Sequence, residues 1–233
     1  MLAGAEDSGL LTGGFIVALP DRLMFTGAPG SPYTRKMLAL LRYRHITHNM
    51  IWGNPRETAR NLPKAKVALH PTFFFPDDAG ELTAVVDSTP IIRRLEQEQS
   101  GRSAIPNDPA LAFINYLFED FGDEWVTKYM FHYRWAFQAD IEWGGKVLPL
   151  WMNTGLSPEQ LAQAGKLIAD RQVGRIGVVG SNETTRPVIE DSYKRFLALW
   201  DAHLQQQPFL LGARPSSADY AVYGQLTQLV GVD

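Results

Sequence analysis

The chain has 233 residues, which suits about one or two domains, and its apolar share of 45% is ordinary for a soluble globular protein. Lys and Arg number 22 against 25 Asp and Glu, a formal net charge of −3, so no global charge draws the chain to nucleic acid or to an anionic membrane. No stretch approaches the roughly 18–20 apolar residues of a transmembrane helix, and the absence of cysteine excludes disulfides, cysteine-ligated metal and catalysis by a thiol of the protein itself.

Residues 1–20 contain an apolar patch, Gly14 to Leu19, and no Lys or Arg precedes Arg22. The charged start of a secretory signal is therefore missing. The stretch reads as a loosely ordered leader, or else as a short added strand. Arg22 to Thr26 reads as the first strand. After it comes Gly30-Ser31-Pro32-Tyr33-Thr34-Arg35-Lys36, opening a helix that runs to Tyr43 with Met37, Leu38, Leu40 and Leu41 inward. Ser followed by Pro is an N-cap and first-turn pair. Free amides and the positive end of the helix dipole favour an anion there, and a thiolate is one. With Cys at both ends the spelling would be a redox dithiol, but both positions carry hydroxyls, Ser31 and Thr34.

His45 to Trp52 reads as a second strand, Asn54 to Asn61 as a weak helix or loop, and Pro71 to Phe75 as a third strand. Asp77 to Gly80 makes a turn into a fourth strand, Leu82 to Val86. A helix from Asp87 to Gln99 follows, with Ile91, Ile92 and Leu95 inward. The order over residues 21–99 is β-α-β-(α)-β-β-α, a small mixed sheet flanked by helices. Residues 100–108 are small, polar and Pro-containing, as a linker is. Residues 109–233 read as all-helical: Asp108 to Trp143 as one long helix or two joined near Gly122, then helices from Ser157 to about Gly174 or Gly177, from Thr185 to Gln206, and from Ser216 toward Leu229. Ser216 and Asp219 form a variant capping box.

This α/β domain, linker and all-α domain resemble the soluble glutathione transferases, whose first domain is thioredoxin-like. Four matches carry the resemblance in order over about 190 residues. They are Gly30-Ser31-Pro32-Tyr33, His70-Pro71 before the third strand, the acid-Ser pair Asp87-Ser88, and Pro208-Phe209-Leu210-Leu211-Gly212 followed by Ser216-Ser217-Ala218-Asp219. The departures are Ala68-Leu69-His70 inserted between Lys66-Val67 and Pro71, Asp87 where Glu is commoner, and an end at Asp233 where the family usually continues for another helix or two. The last suggests a truncated chain or missing final helices.

The resemblance implies glutathione as co-substrate, a small electrophile, no metal and no nucleic-acid or membrane partner, in a cytoplasmic homodimer. Asp87 would pair with the glutathione ammonium, while Ser88 and the amides beside it would hold the γ-glutamyl carboxylate. His70, before a cis-proline at Pro71, would bond the cysteinyl main chain much as a strand partner does. Plain capping by Asp87-Ser88, and an ordinary trans Pro71, are the simpler readings. Ser31 would donate to the glutathione sulfur and favour its thiolate, or would only cap its helix. Tyr33 is the rival hydroxyl, or a packing residue. Trp125, Tyr129 and His132, at i, i+4 and i+7, share a helix face that would wall the electrophile pocket, or would be core and dimer packing. Glu119, Asp120, Asp123 and Glu124 read as a solvated acidic face near a helix kink. Two functions stand: glutathione conjugation with Ser31 as thiolate stabiliser, and a non-catalytic binding or interaction module of the same fold. A reductase working through its own thiol is excluded, because there is no Cys.

Overall fold

The computed structural model describes residues 22–52 and 59–231. The leader, most of the Asn54–Asn61 segment and the last two residues lie outside that range. Strands β1 (Leu23–Gly27), β2 (His48–Trp52), β3 (Thr72–Pro76) and β4 (Leu82–Val85) form one sheet in the order β2-β1-β3-β4. β1 and β2 run parallel, with Phe25 opposite Met50. β3 is antiparallel to both β1 and β4, with Phe73 opposite Phe25 and Val85. The parallel pair needs a crossover, which α1 (Pro32–Tyr43) supplies. The antiparallel hairpin needs only the Asp77–Gly80 turn, closed by the Asp77 carboxylate on the amides of Ala79 and Glu81.

Two helices cover the sheet, α1 and α2 (Ser88–Glu98). Leu23, Phe25, Phe73 and Phe75 of the strands are buried with Met37, Leu40 and Leu41 of α1 and Ile91, Ile92 and Leu95 of α2. The inward residues assigned to these helices from their 3.6-residue period are all buried. A segment without helix or strand leads to α3 (Pro109–Phe121), where the Asp108 carboxylate caps the amides of Ala110 and Leu111.

The expected long helix divides differently from the expectation. Near Gly122 the chain does not break; it widens into a π turn, Gly122–Val126, and continues as α4 (Thr127–Ala136). An added Cβ at Gly122 would lie 2.7 Å from the Cβ of Ala221, so the π turn sits where another helix presses against it. The break falls at Phe137, which is extended, before α5 (Gln138–Met152). Then come α6 (Pro158–Val173), started by a capping box of Ser157 and Gln160, α7 (Arg186–Leu204) and α8 (Ser217–Gly231). The Asp219 carboxylate takes the amide of Ser216 at 2.8 Å and that of Leu210 at 2.8 Å, tying the Phe209–Gly212 segment to the start of α8.

The helical region docks on the first domain through α8 against α1. At Gly224 a Cβ would meet the Pro32 carbonyl oxygen at 2.4 Å, so the helices touch at the N-terminal end of α1, where Ser31 is. Among the described residues no helix is long and apolar enough to cross a membrane.

Candidate active site

The turn between β1 and α1 places Ser31 at the N-cap of α1. Its Oγ accepts the amide of Thr34 at 3.2 Å and donates to the His70 carbonyl at 3.2 Å. The His70–Pro71 peptide is cis, so the residue expected before a cis-proline is in contact with the expected serine. His70 is held neutral by burial, which lowers its pKa, and its Nδ1 has no hydrogen-bond partner among the described residues.

Across from this turn, Asp87 caps α2 by accepting the Thr89 amide at 3.2 Å. Its φ of 80° is one that a residue with a Cβ seldom adopts. Ser88 follows, almost fully buried. Tyr33, His70, Pro71, Asp87 and Ser88 line a single cleft of about 540 Å³, closed on its far side by Tyr116, Glu119, Asp123 and Glu124. Ser31 borders it through its bond to His70. The tertiary structure thus brings together the six residues assigned to catalysis and glutathione binding. A larger groove of about 610 Å³ runs between α5 and α6 and contains none of them.

Tyr33 lies in the cleft, but its hydroxyl is committed to the helical domain: it donates to the Asp123 carbonyl at 2.8 Å. Burial pushes its pKa up to about 12, so the phenol keeps its proton. The three aromatic-face residues lie outside the cleft. Trp125 falls in the π turn, is 55% exposed and stacks under the Lys128 ammonium. Tyr129 is buried against Tyr193 and Phe196, with its hydroxyl 2.6 Å from Ser192 Oγ. His132 is fully buried, with Nδ1 2.7 Å from Ser181 Oγ and Nε2 3.5 Å from a Glu190 carboxylate oxygen. The Ser181 amide is bonded to the Ile176 carbonyl, so this Ser-His-Glu line serves to fix the α6–α7 connection to α4. The helical residues nearest the Ser31 turn are others. Arg134 donates to the Gly30 carbonyl at 3.0 Å, and a Cβ at Gly30 would lie 2.4 Å from Leu148 and 3.2 Å from Trp151. Nothing in the sequence spacing marks Leu148 and Trp151.

The expected solvated acidic face holds at Asp120 and Glu124, which are exposed, and is corrected at the other two residues. Glu119 and Asp123 are buried, 1% and 8% exposed, and their partner is Lys36 of α1, itself 1% exposed. The Lys36 ammonium lies 2.9 Å from Glu119 Oε1, 2.5 Å from Asp123 Oδ2 and 3.0 Å from Ser88 Oγ. Glu119 also takes Arg93 at 3.0 Å and the Ser217 hydroxyl at 2.6 Å. The two carboxylates titrate in opposite directions. Desolvation is the largest influence on both and raises each. For Glu119 it is outweighed by Lys36, Ser217 and Arg93, so its pKa falls below the usual value. For Asp123, with fewer partners and Glu119 nearby, desolvation wins and the pKa is pushed up to about 6. In sequence Lys36 is only the first residue of an apolar-periodic stretch, and its i, i+3, i+4 neighbours do not announce a buried cation. Among the described residues no group of three or more His, Asp or Glu is placed to hold a metal ion.

Comparison with known proteins agrees with this architecture. Among solved structures, a GST-like protein from Pseudomonas syringae superposes with a TM-score of 0.53 at 17% identity, over 91% of this chain and 60% of that one. FzlA from C. crescentus gives 0.52 at 17% identity over 91% and 80%. A glutathione S-transferase from Methylobacterium radiotolerans, in complex with glutathione sulfonate, gives 0.50 at 17% over 91% and 80%. A search of curated protein sequences returns no match. The sequence model of the glutathione S-transferase N-terminal domain matches residues 25–103, and that of the C-terminal domain matches residues 161–233. With the four-stranded mixed sheet and the helical region that follows it, these matches show that the chain belongs to the glutathione S-transferase family.

Proposed function

We propose that this protein is a glutathione transferase, which binds glutathione in the cleft between α2 and α3 and directs its thiolate at a small hydrophobic electrophile. The observation that carries this reading is one cleft lined by the cis His70–Pro71 peptide and Asp87-Ser88, with Ser31 bonded to His70 at its border. A transferase structure of the same fold that holds glutathione sulfonate supports the choice of ligand. The exposed Asp87 carboxylate uses Oδ1 on the Thr89 amide, which leaves Oδ2 for the γ-glutamyl ammonium. Ser88 offers a donor to the neighbouring carboxylate. His70 and Pro71 set the cysteinyl backbone beside Ser31.

Ser31 Oγ already accepts the Thr34 amide, so its one proton is what it has to give. Turned from the His70 carbonyl to the glutathione sulfur, that proton stabilises the thiolate. The thiol loses its own proton to water, the sulfur lone pair forms the new carbon–sulfur bond, and the leaving group departs with its electron pair. Lowering a thiol pKa from about 8.5 by two units takes roughly 2.7 kcal/mol. A hydrogen bond to an anion is worth about 1.5–3 kcal/mol, which is of the right size. Tyr33 holds the π turn against the cleft and is not the proton donor in this scheme.

The working unit is a homodimer built on α3. That helix is patterned inside out: Asn115 and Glu119 are buried, while Leu111, Phe113, Tyr116 and Leu117 face solvent. An apolar patch of this kind seeks a partner, and Tyr116 places a second copy at the edge of the cleft. The expected location is the cytoplasm.

Two measurements test this. Retention on immobilised glutathione is expected for the wild type and is expected to be lost in Asp87→Ala. Turnover of an aryl halide with glutathione is expected to fall in Ser31→Ala. Binding without turnover in the wild type would leave a non-catalytic module of the same fold. No binding at millimolar glutathione would overturn the reading.

A further inference from the structure

A lysine that is 1% exposed, in a helix otherwise buried by Met37, Leu40 and Leu41, calls for a reason beyond packing. The Lys36 ammonium has three protons, and its three partners are Glu119, Asp123 and Ser88 Oγ. The first two neutralise it; the third has a directional consequence. A serine hydroxyl has one proton and accepts through its lone pairs. An ammonium donating onto Ser88 Oγ at 3.0 Å occupies a lone pair and turns the hydroxyl proton away from α1. Ser88 lines the cleft, so that proton is directed to the cleft side.

The first turn of α2 would otherwise be a weak anion site. The Thr89 amide is taken by the Asp87 carboxylate, and Pro90 has no N–H. Among the first three residues only the Ser88 amide is left for a ligand, so the Ser88 hydroxyl has to supply what a fuller turn of amides would. Directly beneath Ser88, Lys36 and Arg93 stand against Glu119 and Asp123, while Asp87, Asp120 and Glu124 add carboxylates to the cleft lining, so a bound carboxylate needs a donor aimed at it.

We propose that Lys36 is a positioning residue for the ligand carboxylate: it fixes Ser88 as a donor into the cleft, so that the γ-glutamyl α-carboxylate of glutathione receives the Ser88 proton. This rests on the glutathione reading given above. Glu119 completes the arrangement from the helical domain. It holds Lys36 and takes the Thr89 hydroxyl at 3.1 Å, and Ser217 of α8 holds it in turn. The orientation of a donor in the first domain is thereby set by the second.

Calorimetric titration of wild type and Lys36→Met with two ligands tests this: glutathione, and the analogue 4-aminobutyryl-Cys-Gly, which lacks only the α-carboxylate. K36M is expected to weaken glutathione about tenfold and to change the analogue by less than about twofold. Equal losses for both ligands overturn the inference, because a purely structural lysine does not distinguish them. If K36M does not fold, K36M/D123N removes the carboxylate left unpaired, and the same expectation holds. Ser88→Ala is expected to reproduce the discrimination, with K36M adding no further loss in that background; additive losses overturn the inference. A wild type that binds neither ligand overturns the glutathione reading and this inference together, whereas a wild type that binds both with equal losses in K36M overturns this inference alone.

Discussion

Two patches on one continuous run of helix, Glu119 to Asp123 and Tyr129 to His132, have exchanged the environments that their residue types suggest. Glu119 and Asp123 of the acidic patch are buried in the seam between domains and line the cleft, while Asp120 between them is exposed. The aromatic patch, apart from the exposed Trp125, is the core of the helical domain and touches no part of the cleft. The difference lies in what each patch faces. α1 presents an ammonium to the first, so its carboxylates can leave water in company. α7 presents Tyr193 and Phe196 to the second, so its Tyr129 ring packs tilted against them, with centroids 5.3 and 6.1 Å away. The chemistry of a helix face is decided by the opposing element as much as by its own residues.

Removing the ammonium should break this contrast most severely. Lys36→Met leaves Asp123 buried without a cation and Glu119 with Arg93 alone, and is expected to lower stability by about 3–5 kcal/mol, read from urea unfolding at neutral pH. A loss below about 1 kcal/mol would mean that the seam is wet and the acidic patch solvated after all.

Asp123 sharpens the contrast through pH. Its pKa is raised from 3.8 to about 6, so the folded chain holds that proton more tightly than the unfolded one. The resulting stabilisation is full below about pH 4 and is lost as pH rises through about 6, by about 3 kcal/mol. Glu119 works in the opposite sense. Its lowered pKa stabilises above its ordinary value of 4.5 and is lost as pH falls through the folded value. Stability should therefore peak near pH 4, as scored by unfolding midpoints across pH, and Asp123→Asn should flatten the limb between about pH 4 and 6. An unchanged profile in that variant would place the titration elsewhere.

Ser31→Ala should reduce turnover by roughly 10- to 100-fold, from the loss of one hydrogen bond to an anion, and stability by about 1 kcal/mol, from the lost cap. Steady-state kinetics beside thermal unfolding separate the two. A loss of stability with turnover intact would leave Ser31 as a cap only.

The smallest effects belong to the aromatic patch. Tyr129→Phe removes one hydroxyl contact with Ser192 and should cost about 1 kcal/mol of stability without changing KM for glutathione or for the electrophile. A shift in the electrophile KM would return Tyr129 to the substrate wall. Variants of Leu148 or Trp151, which crowd Gly30, are the better place to look for that wall.

Much of this was legible in the chain. The Ser-Pro start of α1, the Asp-Ser start of α2 and the Asp77–Gly80 turn between β3 and β4 are local signals, in which a side chain bonds a backbone group two to four residues away. The core faces of α1 and α2 follow from a 3.6-residue period, which a single element sets for itself. The break at Phe137 was not legible: no Pro or Gly marks it, and the Gly122 that invited a break is there because Ala221 approaches it. The same limit hid Lys36, since nothing within four residues separates it from an ordinary surface lysine.

By itself, then, the sequence determined the order of most elements, the caps and an α/β domain followed by a helical one, because each rests on short-range bonding, periodicity or a motif kept in order. Only the tertiary structure decided which hydroxyls are already committed, that Tyr33 serves the helical domain, that Lys36 lies buried against two carboxylates that line the cleft, and that Tyr129 and His132 are core. These depend on contacts between residues some 80–100 positions apart, whose burial and protonation are set by whichever partner the fold brings within about 3 Å.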